Sequence, residues 1–414
     1  MHRRTHAAMV ILLLAACAPP GGPSAGAAGT WVGTISTEGG VTTVVNEAGS
    51  VWGGPVTLVE DLSIGVETGE EPYMFGPIAG LAATDERIYV ADDLGFRIRV
   101  YDHDGRHLFD FGREGEGPGE FAHIQDVTVD PDGRVFVLGP ARVTVFDLDG
   151  QLLDTWSYRS PSSTVMTTAI DGTLYVPGYW VEDDQPVVGL VAVAPDGTEI
   201  GRVTALEYDP MPWSLVARAG GRTTGATVLY APRTVLAVLP SGALVRGISE
   251  AYRFTVQRAD GTSLIIERAG ELPAVPPELA EWYTIQRTDV MRRVQPDWQW
   301  TVNPVPAHKP AFTGFAGDRN GRIWVTRALG TETITDCDPD PLGVEGRRAI
   351  SCWRDVVGLD VFEERTGRLL GQIEPPHALS HPVFLEDAIL TAYEDEAGTI
   401  MVKRYRLQMP GEAR

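Results

Sequence analysis

Short apolar runs of five to seven residues recur along this 414-residue chain, separated by Gly, Pro and Asp. Residues 78–111 read IAGLAATDERIYVADDLGFRIRVYDHDGRHLFDF, and residues 124–156 read IQDVTVDPDGRVFVLGPARVTVFDLDGQLLDTW. The two align as strand, turn, strand, loop, "RVYD" or "TVFD", a D-G turn and a last strand. Apolar alternation over such lengths, bounded by turn formers, predicts β-strands. The plan continues, less regularly, in TTAIDGTLYVPGYW with VGLVAVAPDGTEIGRV, in TVLAVLPSGALVRGI with YRFTVQRADGTSLIIE, and in GFAGDRNGRIWVTRA with VGLDVFEERTGRLLGQI. VFLEDAILTAYEDE with TIMVKRYRLQ supplies only three strands of a sixth unit.

Four strands in about 40 residues, repeated, is the spacing of a propeller blade. The expected fold is therefore all-β: a six-bladed β-propeller over residues 51–409, closed by an N-terminal strand, with one helical insertion. VTLVEDLSIG, residues 56–65, is expected to complete the sixth blade, because sealing the ring in this way removes the free edge.

Strand direction then sorts the connections. In an up-and-down blade, turns 1–2 and 3–4 lie on one face, and the 2–3 loops and interblade links lie on the other. Asp130-Pro131-Asp132-Gly133 and Asp318-Arg319-Asn320-Gly321 are 1–2 turns; Asp102-His103-Asp104-Gly105 and Asp147-Leu148-Asp149-Gly150 are 3–4 turns. All are tight, so one face is smooth. The long insertions, 178–187, 204–234, 269–312 and 327–356, all fall on the opposite face. Long loops on a rigid scaffold carry function, so a site is expected at the mouth of the central channel on the loop-rich face.

The stretch FGREGEGPGEF, residues 111–121, has the glycines of a phosphate cradle. A phosphate loop leads into a helix, whereas this one leads into the strand IQDVTVD, and Glu114, Glu116 and Glu120 would repel an anion. It reads as a corner between blades. Within 269–312, PPELAEWYTIQRTDVMRRV places Leu279, Trp282, Tyr283, Val290 and Val294 near one helical face after two prolines. Such a stripe is a buttress sooner than a lid. Trp298, Trp300 and His308 follow it. Tyr179, Trp180, Tyr252 and Arg327 sit just past second strands. These seven are the candidate ligand-binding residues.

The ends add an address. MHRRTHAAMVILLLAAC has a basic start and an apolar run too short to span a bilayer. Residues 1–16 read as a signal peptide and 17–50 as a tether and N-terminal extension, with APPGGPSAGAAG (18–29) as flexible linker. Losing Arg3 and Arg4 takes the formal charge from −22 to −24. Nucleic acid and anionic headgroups are poor partners for such a chain. Cys337 and Cys352 lie in a loop region of an exported chain, and a disulfide between them is expected. No cofactor is expected, and a monomer is. His377-x₃-His381 lies among prolines and lacks the helical alignment of a metal pair.

Leu14-Ala15-Ala16-Cys17 resembles the lipobox of bacterial lipoproteins, which implies a lipid on Cys17 and a place in the bacterial cell envelope. Ala18 rather than Asp at the next position implies the outer membrane, facing periplasm or cell surface. The "RIYVAD…RIRVYD…FG..G.GPGEF" pattern of the first two blades resembles NHL-repeat six-bladed propellers. That resemblance implies fold more than activity. It favours a binding or scaffold protein for a protein, peptide or carbohydrate, with no catalytic residues assigned. The alternative is a metal-dependent propeller hydrolase or lyase, gluconolactonase-like. Such hydrolases hold metal with acidic and asparagine side chains round the channel, but the three asparagines here are Asn46, Asn303 and Asn320, none on an expected inner strand.

Overall fold

The computed structural model describes residues 30–158, 165–182, 185–206, 211–335, 337, 340 and 351–412. Cys17, the signal segment and the 18–29 linker lie outside the described residues.

Six sheets of the expected strand order stand round one axis. Blade 1 spans 78–111, blade 2 126–157, blade 3 167–204, blade 4 234–268, blade 5 314–373 and blade 6 380–408. Within each, consecutive strands pair antiparallel, which accounts for the regular spacing of turn residues. Three N-terminal strands precede them: β1 (Val32–Glu38), β2 (Val41–Ala48) and β3 (Thr57–Ile64). β3 pairs antiparallel with the last strand, Ile64 opposite Val402 and Thr57 opposite Gln408, and so supplies the missing fourth strand of blade 6. The ring is closed by pairing an N-terminal strand with the last strand.

β1 and β2 form a hairpin turned by Gly39 and Gly40, at φ 56° and 82°. β2 lies parallel to the outermost strand of blade 4, Val41 beside Ser263 and Asn46 beside Arg268, so blade 4 has six strands. Asn46 fastens this addition. Its Oδ1 accepts from Trp31 Nε1 at 2.8 Å and from Leu369 N at 2.7 Å, and its Nδ2 donates to Glu267 O and Gly367 O, both at 3.1 Å. A buried amide with all four bonds made is satisfied, and it ties blade 4 to blade 5.

Apolar clusters fill the gaps between blades. Tyr89, Val100, Phe121 and Phe146 join blades 1 and 2. Phe136, Leu138, Leu174 and Val176 join 2 and 3. Phe254, Phe312 and Phe362 join 4 and 5. Trp324, Val361 and Ile389 join 5 and 6, and Ile64, Val90 and Leu390 join 6 and 1.

On the smooth face an aspartate organises each 1–2 turn of the Asp-x-x-Gly-Arg type. Asp130 accepts from Arg134 N at 2.8 Å and Arg134 Nε at 2.7 Å. Asp318 accepts from Asn320 N, Arg322 N and Trp324 Nε1. Gly133 and Gly321 take φ of 82° and 69°, a conformation open to glycine. These two arginines, with Arg87, Arg258 and Arg404, cross to the next blade. Arg87 donates to Leu148 O, Arg134 to Pro195 O, Arg258 to Glu364 O, Arg322 to Leu385 O and Arg404 to His103 O. Five of six junctions carry such a latch. Each is a charge-assisted bond to a carbonyl, and these are the stronger class.

Candidate functional site

The face opposite these turns is asymmetric. Over blades 3 to 5 it bears a hairpin, Ser214–Ala219 with Arg222–Thr227, and helix α1, Pro277–Val294. The helix begins at the paired prolines and buries Leu279, Tyr283 and Met291. Met291 packs with Leu215, Ala217, Val228 and Trp298 into a cluster separate from the blade cores. Tyr283 Oη donates to Thr227 O at 2.6 Å and Trp298 Nε1 to Val216 O at 2.9 Å. Trp300 stacks edge-on to Trp298 at 6.1 Å and donates to Asn303 O. Both tryptophans thus hold helix to hairpin.

The 3-strand side of blade 5 extends as an arm, Arg322–Thr333 paired with Trp353–Glu363. Its tip carries the Cys337–Cys352 disulfide, Cα atoms 5.6 Å apart. Trp282 of α1 meets Trp353 of the arm at 6.1 Å. Lys309 fixes the arm's base. Its side chain is fully buried, and Nζ donates to Gly330 O at 2.7 Å and to Asp355, beneath the Tyr230 ring at 5.0 Å. Tyr230 Oη donates to the same carboxylate at 2.7 Å. Beside it, His308 is exposed and paired through its backbone with Ala274. In sequence, the signal for this cluster is the lysine of AHKPAF.

Tyr252 and Arg327 do come together, on Asp360, which is wholly buried. Tyr252 Oη donates to Oδ2 at 2.6 Å and Arg327 Nε to Oδ1 at 3.0 Å; Arg268 Nη1 also donates to Oδ2. Burial, then the neighbouring carboxylate, raises the Tyr252 phenol well above its ordinary pKa. Tyr179 and Trp180 stand apart on blade 3. Trp180 lies under the Arg202 guanidinium at 5.2 Å, while Tyr179 points to solvent.

Blades 1, 2 and 6 carry no canopy among the described residues. There the 2–3 loop of blade 1 and the start of the glycine-rich stretch form a cleft of about 430 Å³, lined by Leu94, Gly95, Phe96, Arg97, Gly112, Arg113 and Glu114. The glycine-rich stretch is a corner, as expected, and its wrapping explains the residue types. Phe121 N bonds Arg113 O and Gly115 N bonds Phe121 O, folding the loop on itself. Glu120 lies inside this wrap. It accepts from Gly117 N at 2.9 Å and Arg113 Nε at 2.8 Å, which hold its carboxyl below the usual range. Arg142 of blade 2 donates to Glu116 O and Glu120 O. Arg97, paired with Glu71 and Asp110, Arg113, paired with Glu120, and the exposed Leu94 therefore line one opening together with Glu114.

Among the described residues no three His, Cys, Asp or Glu side chains converge to hold a metal. His377 Nε2 lies 2.8 Å from Tyr405 Oη, with Nδ1 on Ala378 O, and burial lowers the pKa of His381.

A family model described as a 6-bladed beta-propeller, DUF5128, matches residues 63–182. The fold is a six-bladed β-propeller. No curated protein matches the chain. Among solved structures, a protein of Bacteroides fragilis described as exported is 9% identical with a TM-score of 0.48, over 85% of this chain and 95% of that one. A DUF4221 family member from Bacteroides vulgatus is 8% identical with a TM-score of 0.44, over 86% and 99%. A gluconolactonase from Xanthomonas campestris is 16% identical with a TM-score of 0.39, over 81% and 87%. None reaches the similarity at which an activity carries from one propeller to another.

Proposed function

We propose that this propeller is a lipid-anchored binding protein of the bacterial cell envelope, and that its loop-rich face takes up a peptide segment of a partner. The cleft on blade 1 carries this reading. It sets an exposed leucine among polar groups whose charges are already matched, Arg97 by Glu71 and Asp110 and Arg113 by Glu120, so an apolar side chain on a peptide, and not charge, is what the opening selects. A sugar offers no apolar group for Leu94, which is 69% exposed.

The test is titration of leucine-containing peptides by fluorescence anisotropy. Leu94→Asp, or Arg97→Ala with Arg113→Ala, should weaken binding at least tenfold. Unchanged affinity in both variants removes the cleft from the proposal. Anchoring is tested separately: Cys17→Ser should move the protein from membrane to soluble fraction, and a variant still sedimenting with membranes refutes a lipid on that residue.

A further inference from the structure

The junction of blades 3 and 4 differs from the other five. No apolar cluster spans it, and no arginine latch crosses it among the described residues. One backbone bond, Ile170 N to Pro240 O at 2.7 Å, ties it on the smooth face.

Its two walls are unlike. On blade 3, Leu174, Val176 and Val191 pack against blade 2. Strand alternation therefore turns Tyr175, Tyr179, Val181, Val188 and Leu190 toward blade 4. Tyr179 and Val188 are direct cross-strand partners, and Tyr179, Val181 and Val188 are 57%, 62% and 61% exposed. Gly201, paired with Ala192 on the same side, faces open space: an added methyl would meet nothing within 4 Å. On blade 4, Val245, Phe254 and Val256 face blade 5, so Arg246, Thr255 and Gln257 face blade 3. Arg246 Nη2 donates to Gln257 Oε1 at 3.1 Å, while its Nε is buried with no partner among the described residues. A buried guanidinium donor left unmade is costly, and it marks where an acceptor belongs.

We infer that this seam binds a long-chain carboxylate, with the aliphatic chain along the Tyr179–Val181–Val188 wall and the carboxylate on Arg246. The walls are sheet faces, whose backbone groups are already engaged in ladders. A peptide main chain inserted there would lose its water partners without replacement, whereas a methylene chain has none to lose. The inference is independent of the blade 1 cleft.

Dodecanoate, kept below its micelle concentration, is the probe, titrated calorimetrically into the purified full chain. One-to-one binding is expected at micromolar concentration, with hexanoate and dodecanol each at least tenfold weaker. Arg246→Gln should lose at least tenfold in affinity with thermal stability retained, Val188→Asp should do the same from the other wall, and the Arg97/Arg113 double variant should bind as the parent does. Absence of saturable binding, equal affinity for dodecanol, or undiminished binding in Arg246→Gln with Val188→Asp would each overturn the seam as an acyl site.

Discussion

Replacing Asp360 by alanine is expected to destabilise the protein by about 3–5 kcal/mol, the range for removing one partner from a buried ion pair. Among the described residues, Asp360 is the only acid in direct contact with both Arg268 and Arg327, whose side chains are 18% exposed. With its amide oxygen turned toward the pair, Gln372 accepts from Arg268 Nη2 at 2.7 Å and Arg327 Nη2 at 2.8 Å. Without the carboxylate these two cations would face each other across one amide, and Tyr252 Oη would lose its acceptor. Urea unfolding checks this through a lower midpoint. Adding Arg268→Met to Asp360→Ala should recover part of the loss by removing one stranded charge. A loss below about 1 kcal/mol, in the range of an exposed pair, would show that water screens this cluster.

Stability should fall as pH rises through Asp126, contrary to the usual carboxylate behaviour. Asp126 begins the inner strand of blade 2, and its Oδ2 accepts from Met166 N of blade 3 at 2.5 Å. Burial pushes its pKa from 3.8 to about 7, against the opposing pull of the Met166 and Val127 amides. Below pH 3.8 the folded and unfolded chains both hold the proton. Between 3.8 and about 7 the unfolded chain releases it while the folded chain keeps it, so each pH unit favours unfolding by about 1.4 kcal/mol, roughly 4 kcal/mol in total. Asp126→Asn cannot titrate. Stability of the parent minus that of the variant should therefore decline from pH 4 to 7 and level off above. A difference that stays flat or grows with pH would mean the carboxylate is ionised in the folded state.

Much of the architecture was legible because it is local. Turn residues, strand length and the three-stranded last unit point to six sheets and to residues 56–65 as the closing strand, and β3 spans Thr57–Ile64. The Cys337–Cys352 link is the one expected of an exported chain, and the two cysteines are bonded. The β1–β2 hairpin was not legible as part of blade 4. Its Gly39-Gly40 turn is a local signal, but parallel pairing to a strand more than 200 residues away has none. The tryptophans after α1 illustrate the same limit. Their partner hairpin at 214–227 sits inside what reads as a plain insertion, so Trp298 looks available in sequence and is buried in the fold. Asp360 is hidden for a related reason: VVGLDVF resembles any strand with one polar position, and what distinguishes it is two arginines from different blades. The seam between blades 3 and 4 is an absence of packing, which no residue pattern announces.

The hairpin on blade 4 also has a mechanical consequence. A pull on the chain ahead of Trp31 arrives first at β1, at the rim, and not at β3. Peeling residues 32–48 from the rim would release about 58 Å of extended chain at roughly 3.4 Å per residue, while the strand that locks the circle stays unloaded. Tension applied ahead of Trp31 would thus be spent on a sacrificial ribbon before it could open the ring.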